Sequence, residues 1–239
     1  MHSRPSLILL PGLACDGELF EHQAQALTAW AGRVHISDVH TRCATLPAMG
    51  AALWAEHPGE HVLVGASMGG MLALEMHRQA PDRVAALALL GSTARPDTPE
   101  LISLRTRACE LFANGRMDEV LRANVLFAFH PHGARAPGLV DRYLAMIRRA
   151  GAPQLIQQNR AVMARVDSRP HLPHITCPVL VACGEADQLT PPEHAREMAS
   201  WMPHAQLDVV PGAGHMLTME HPDRVSALLL RWLKTLQPA

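Results

Sequence analysis

Several stretches of this chain are too continuously apolar to stand as strands wetted on one side. Leu7–Leu10 ends at Pro11-Gly12, Val84–Leu90 is apolar throughout, and His61–Gly65 and Pro178–Cys183 are apolar along most of their length. A half-buried strand alternates in polarity; a strand covered on both faces does not, and it belongs in a parallel sheet sandwiched by helices. Val34–Asp38 and Gln206–Val210 read as two further strands, while Leu46–Glu56, Met68–Gln79 and Pro222–Leu236 carry helix-spaced apolar residues. Repeated strand–helix units predict an α/β fold with a mainly parallel sheet and helices on both faces. Thr190-Pro191-Pro192-Glu193 reads as a capping box opening another helix.

The pattern changes over residues 92–172, where no convincing strand occurs. Helices are expected from Thr98-Pro99-Glu100 to a stop at Asn114-Gly115, over Met117–Phe129, over Leu139–Ala150 and over Pro153–Val166, with Pro131–Gly138 as a loop. The chain therefore divides into a core of residues 1–91 and 173–239 and an all-helical cap inserted at 92–172, within one overall domain.

With 239 residues there is enough chain for one substantial core. A formal net charge of −1 without blocks of like charge argues against a nucleic-acid surface. Cys15, Cys43, Cys109, Cys177 and Cys183 are dispersed and odd in number, which predicts reduced thiols and a cytoplasmic location. The apolar start Leu7–Leu10 is too short for a signal-peptide core or a membrane span. Fifteen histidines raise the question of a metal. Proline interrupts the closest pairs, His130/His132 and His171/His174, and no carboxylate follows at ligand spacing, so neither a metal nor a cofactor is expected.

Gly65-Ala66-Ser67-Met68-Gly69 fits G-x-S-x-G between an apolar strand and a helix. There a sharp turn lifts the serine hydroxyl from the sheet edge, and only very small residues two positions to either side avoid collision. Gly65 and Gly69 meet that need, and Gly70 permits closer helix–sheet packing. The competing reading is a glycine-rich helix start that binds an anion; the lysine of a P-loop and a GxGxxG are both missing. A serine hydroxyl needs a base, and His215 in Pro211-Gly212-Ala213-Gly214-His215 follows the last strand at the same sheet edge. The imidazole needs a carboxylate. Asp187, after the penultimate strand, fits the chain order Ser…Asp…His better than its rivals Glu185 and Asp208. The N–H groups of Met68 and Leu13 are the candidate oxyanion donors, the latter in the loop after the first strand.

Taken together, Leu-Pro-Gly-Leu at 10–13, Gly-Ala-Ser-Met-Gly-Gly at 65–70, Gly-Glu-Ala-Asp at 184–187 and Gly-Ala-Gly-His at 212–215 resemble the α/β-hydrolase superfamily. The nearest likeness is to small bacterial carboxylesterases and the pimeloyl-carrier-protein methyl esterase group. The resemblance spans essentially the whole chain and implies a helical cap between the sixth and seventh strands of the usual numbering. One departure is Pro11-Gly12 where many relatives have His-Gly. A serine rather than an aspartate nucleophile separates the chain from dehalogenases and epoxide hydrolases.

The expected activity is hydrolysis of carboxylic esters through an acyl-enzyme on Ser67, with a small-molecule ester or a carrier-bound acyl group as substrate. Thioester or lactone hydrolysis and acyl transfer use the same triad. A non-catalytic ligand receptor on this scaffold would be expected to have a damaged one. Phe127, Phe129, Tyr143 and Met146 in the cap are candidate pocket walls, although side chains at helical spacing also serve simply as core. The cap is expected to select the acyl group and to take no part in bond cleavage.

Overall fold

Six strands carry the fold: β1 (Ser6–Leu10), β2 (Val34–Ile36), β3 (His61–Ala66), β4 (Val84–Leu90), β5 (Val179–Gly184) and β6 (Ala205–Val210). In the computed structural model, which describes residues 5–31 and 33–236, they form one sheet in the order β2-β1-β3-β4-β5-β6, and every neighbouring pair is parallel. The apolar runs β1, β3, β4 and β5 occupy the middle of the sheet, where both faces must be covered. The edge strand β6 is half-exposed, with Leu207 and Asp208 on it.

Alternate residues of the central strands enter two separate cores. Leu7, Leu9, Val62, Val64 and Ala88 pack with Leu27 and Trp30 of α1 (Glu21–Ala31) and with Leu229 and Trp232 of α10 (Pro222–Thr235). Ile8, Leu10, Leu63, Leu87 and Val181 pack on the other face against α3 (Leu46–Glu56), α4 (Met68–Gln79) and α8 (Pro192–Trp201). Thr45 caps α3 by accepting the Ala48 N–H at 3.2 Å. A short helix, α2 (Val39–Arg42), follows β2, which ends two residues earlier than its sequence suggests. There Ser37 Oγ accepts the Val39 N–H at 3.1 Å and turns the chain out of the sheet.

Between β4 and β5 run α5 (Pro99–Ala113), α6 (Met117–Ala128) and α7 (Leu139–Met163). Thr98 caps α5 through the Leu101 N–H at 3.3 Å. Phe129 leaves α6 in an extended conformation and so lies outside the helix. Gly151, with φ +75° and ψ 169°, breaks α7 at the point where the sequence separates two helices. Asp97 sits where the chain leaves β4 and holds both Arg105 of α5 (2.7 Å) and Arg165 beyond α7 (2.9 Å), so one buried carboxylate ties the two ends of this excursion together.

The β1 chain end leads to β2 on one side, whereas β3 leads to β4 on the other. The sheet order thus reverses between β1 and β3. In open α/β sheets the crevice outside the carboxyl ends of the strands at such a point is where ligands bind.

Candidate active site

Ser67 stands at this reversal, on the turn from β3 into α4 with φ +52° and ψ −117°. The backbone is crowded on every side. A methyl group at Gly65 would run into the Gly69 carbonyl, and one at Gly69 into the Leu10 carbonyl at the end of β1. Gly70 would likewise collide with Ser92, whose Oγ donates to the Ser67 carbonyl at 2.8 Å. The small residues of the motif are therefore required by close approach of backbone to backbone.

His215 follows β6 on the loop from Pro211. Its Nε2 lies 3.0 Å from Ser67 Oγ, and its Nδ1 lies 2.8 Å and 3.0 Å from the two oxygens of Asp187. The carboxylate can only accept, so Nδ1 carries the hydrogen and Nε2 is free to take the serine proton. Asp187 is 3% exposed. Burial pushes its carboxyl up, but the charge and hydrogen bond of His215 and the bonds from Thr190 outweigh it and hold the group below the usual carboxylate range. The Leu189 and Thr190 N–H groups donate to Oδ1 at 2.9 Å each, and the Thr190 hydroxyl donates to Oδ2 at 2.9 Å. This corrects the capping-box expectation: the Thr190 side chain serves Asp187, and α8 begins at Pro192 without a side-chain cap. The rival carboxylates are engaged elsewhere. Asp208 pairs with Arg231 of α10 at 3.6 Å, and Glu185 accepts the Gly212 N–H at 3.2 Å.

The loop after β1 folds over the serine: a methyl group at Gly12 would lie 3.3 Å from Ser67 Cβ. The Cys15 N–H closes a turn onto the Gly12 carbonyl at 3.1 Å, and Ala14 adopts φ +57°. Among the described residues, neither the Leu13 nor the Met68 N–H has a hydrogen-bond partner. A tetrahedral oxyanion on Ser67 would need two such free donors. Burial, helped by Asp16, pushes the Cys15 thiol up to about 12, so it stays protonated and is no competing nucleophile.

Three supporting residues were not visible in the sequence. Glu220 accepts the Gly214 N–H and the His130 N–H, both at 2.8 Å, joining the His215 loop to the end of α6; burial pushes its carboxyl up. Gln158 of α7 accepts the Ala14 N–H at 2.6 Å. His40 of α2 donates from Nε2 to the Cys15 carbonyl at 2.7 Å.

Of the cap residues, Phe129, Tyr143 and Met146 fall in one buried cluster, with Phe129 and Tyr143 edge to face at 5.2 Å. Phe127 is half-exposed and outside that cluster. His130 and His132 stack on each other, and His171 Nε2 meets His77 Nδ1 at 2.9 Å. Among the described residues no group of three or more His, Cys, Asp or Glu side chains is placed to hold a metal ion. No described helix is long and apolar enough to cross a membrane.

Comparison with known proteins bears on the family and the fold. Residues 44–222 match the alpha/beta hydrolase fold family. The pimeloyl-[acyl-carrier protein] methyl ester esterase of Xanthomonas oryzae pv. oryzae is 30% identical over 96% of this chain and 95% of its own length. The Neisseria meningitidis serogroup B protein of the same name is 30% identical over 70% of this chain and 66% of its own. Among solved structures, a thermophilic esterase from Thermogutta terrifontis superposes with a TM-score of 0.90 at 28% identity, covering 99% of this chain and 92% of that one. The family match and the near-complete alignments lead to one conclusion: this chain belongs to the α/β-hydrolase family.

Proposed function

We propose that Ser67 is the nucleophile of this carboxylic ester hydrolase, with His215 as its base and Asp187 as the acid that orients the base. The observation that carries the assignment is the unbroken hydrogen-bond chain from Ser67 Oγ through the His215 ring to Asp187, at 3.0 Å and 2.8 Å. In the first half-reaction Ser67 Oγ attacks the ester carbonyl and its proton passes to His215 Nε2. The oxyanion that forms is stabilised by the Leu13 and Met68 N–H groups. Collapse of the tetrahedral adduct expels the alcohol, protonated by His215, and leaves an acyl group on Ser67. Water, deprotonated by His215, then attacks the acyl-enzyme and regenerates the serine.

The relatives named above for pimeloyl-carrier-protein methyl esters support a substrate of the same type here: a short-alcohol ester of an acyl chain, free or on a carrier. Residues 92–172 act as a cap on the core formed by 1–91 and 173–239, and the buried cluster of Phe129, Tyr143 and Met146 is assigned to the wall of the acyl pocket. The five free cysteines support a cytoplasmic setting.

The test is direct. A fluorophosphonate should label Ser67 and nothing else, and p-nitrophenyl ester hydrolysis should disappear together with labelling in Ser67→Ala. Labelling of a different serine in folded protein would sink the assignment.

A further inference from the structure

We propose that Gln158 is a positioning residue for the reaction: its buried amide holds the Gly12–Cys15 loop in the conformation that presents the Leu13 N–H to the oxyanion. The proposal rests on the assignment of Ser67 and Leu13 above, and it gives the capping stretch a part in bond cleavage that the sequence did not suggest.

Gln158 lies on α7, 144 residues from the loop it touches, and is fully buried. Its Oε1 accepts the Ala14 N–H at 2.6 Å, while its Nε2 donates to the His40 carbonyl at 3.0 Å and to Gln154 Oε1 at 3.2 Å. The orientation of the amide is thereby fixed, because a flip would set its NH2 against an N–H and its oxygen against two acceptors. His40, itself 3% exposed, returns to the same loop by donating from Nε2 to the Cys15 carbonyl at 2.7 Å. The three bonds close a ring: Ala14 N–H to Gln158, Gln158 to His40, and His40 to the Cys15 carbonyl. Gln154 adds an outer tie by donating to the Thr41 carbonyl at 2.9 Å.

The segment inside this ring needs outside support. Ala14 holds φ +57°, a region unfavourable for any residue with a Cβ. Its own N–H is buried and has Gln158 as its acceptor. Without that acceptor the loop would relax toward negative φ, and the Leu13 N–H, one peptide earlier, would swing with it. Only its bond to Gln154 runs along its own helix; its oxygen goes to the strained peptide beside the oxyanion donor. Oxyanion donors act by standing where charge develops, so a shift of a few tenths of an ångström in the loop weakens the transition state and leaves ground-state binding nearly intact.

The test compares wild type with Gln158→Met, which keeps volume but has no amide. For a p-nitrophenyl ester, kcat is expected to fall about 10- to 100-fold, somewhat less than loss of a whole oxyanion donor, with KM within about threefold. The affinity of a trifluoromethyl ketone, which forms the tetrahedral oxyanion adduct, should fall in parallel, and the acid limb of the pH–rate profile should not move. Ala14→Gly added to Gln158→Met should recover activity several-fold, since glycine adopts positive φ without strain. A kcat within about twofold of wild type, or a loss carried by KM or by a displaced pH profile, would overturn the proposal. Should Gln158→Met fail to fold, His40→Phe opens the same ring at another bond, and an unchanged kcat there is equally damaging. Amide hydrogen exchange at Ala14 separates the two levels of the argument. If wild type has no esterase activity, the assignment of the triad fails. Protection of Ala14 that persists in Gln158→Met, by contrast, overturns the role of Gln158 alone.

Discussion

Glu220 Oε1 accepts the N–H of Gly214, the residue directly before His215, at 2.8 Å. Its other oxygen takes the His130 N–H, so a single carboxylate fixes the base loop to the end of α6. Glu220→Ala leaves both donors without that acceptor. The expected loss is about 2–4 kcal/mol of stability, read from urea denaturation, with kcat lowered about tenfold as His215 loses its anchor. Stability and turnover both unchanged would show that the loop is held by something else.

Asp187 and Asp208 should differ sharply when each is replaced by asparagine. Asp187→Asn breaks the tautomer control of His215 and is expected to lower kcat by about 10⁴-fold, while His215→Ala costs as much or more. Asp208→Asn alters only a partly exposed pair with Arg231 and should stay near wild type. Steady-state kinetics on the three variants decide it; the reverse ranking of the two aspartates would transfer the acid role to Asp208.

Because Asp187 is held below the usual carboxylate range, it stays ionised as the solution is acidified. The acid limb of kcat/KM should therefore carry no second proton from Asp187 and should keep a slope of one. A limb of slope two would reveal that Asp187 titrates in the same range.

Acid should also unfold the protein through its buried histidines. Burial first, and then the neighbouring His171, bring His77 down to about 4, and burial likewise lowers His40 and His61. Between the unfolded histidine value of about 6.5 and the folded values, the unfolded chain binds more protons than the native one. This contribution to stability is fully present above about pH 6.5 and is lost as pH falls toward 4. Urea midpoints should decline over that window, and His77→Gln should flatten the decline. A midpoint independent of pH from about 7.5 to 5 would contradict the burial argument.

The pocket wall can be probed by contrast. Phe129→Ala and Met146→Ala should shift the preferred acyl length upward at a stability cost of about 2–5 kcal/mol, whereas half-exposed Phe127→Ala should leave both nearly unchanged. Equal effects at all three positions, measured with an ester-length series, would place the acyl pocket elsewhere.

What could be read from the sequence was whatever depends on neighbours in the chain. The buried strands announce themselves by unbroken apolar runs, and Ser67 by glycines whose absence of side chain is a local steric demand. Thr190 is ambiguous in the sequence because Thr-Pro-Pro-Glu suits a cap as well as it suits a carboxylate three residues back, and only the fold decides which partner is nearer. Helix α1 had no clear apolar period, since its buried face includes Gln23, which donates to the Thr218 and Pro222 carbonyls at 3.2 Å each. Gln158 and Glu220 were beyond reach for a different reason. Gln158 meets Ala14 across 144 residues and Glu220 meets His130 across 90, and polar side chains, even toward the nearby Gly214, carry no periodic signal of the backbone groups they will meet.

Ser67, held at φ +52°, occupies a conformation that glycine would adopt freely and that costs a side-chain-bearing residue about 1–3 kcal/mol. Natural variation at this position is therefore pulled in two directions. A chain screened only for heat resistance or yield would drift toward Ser67→Gly, gaining robustness while losing its chemistry. If Ser67 is the nucleophile proposed above, it is kept at a cost to the fold, and a lineage freed from selection for turnover should lose it early, well before the sheet beneath it erodes.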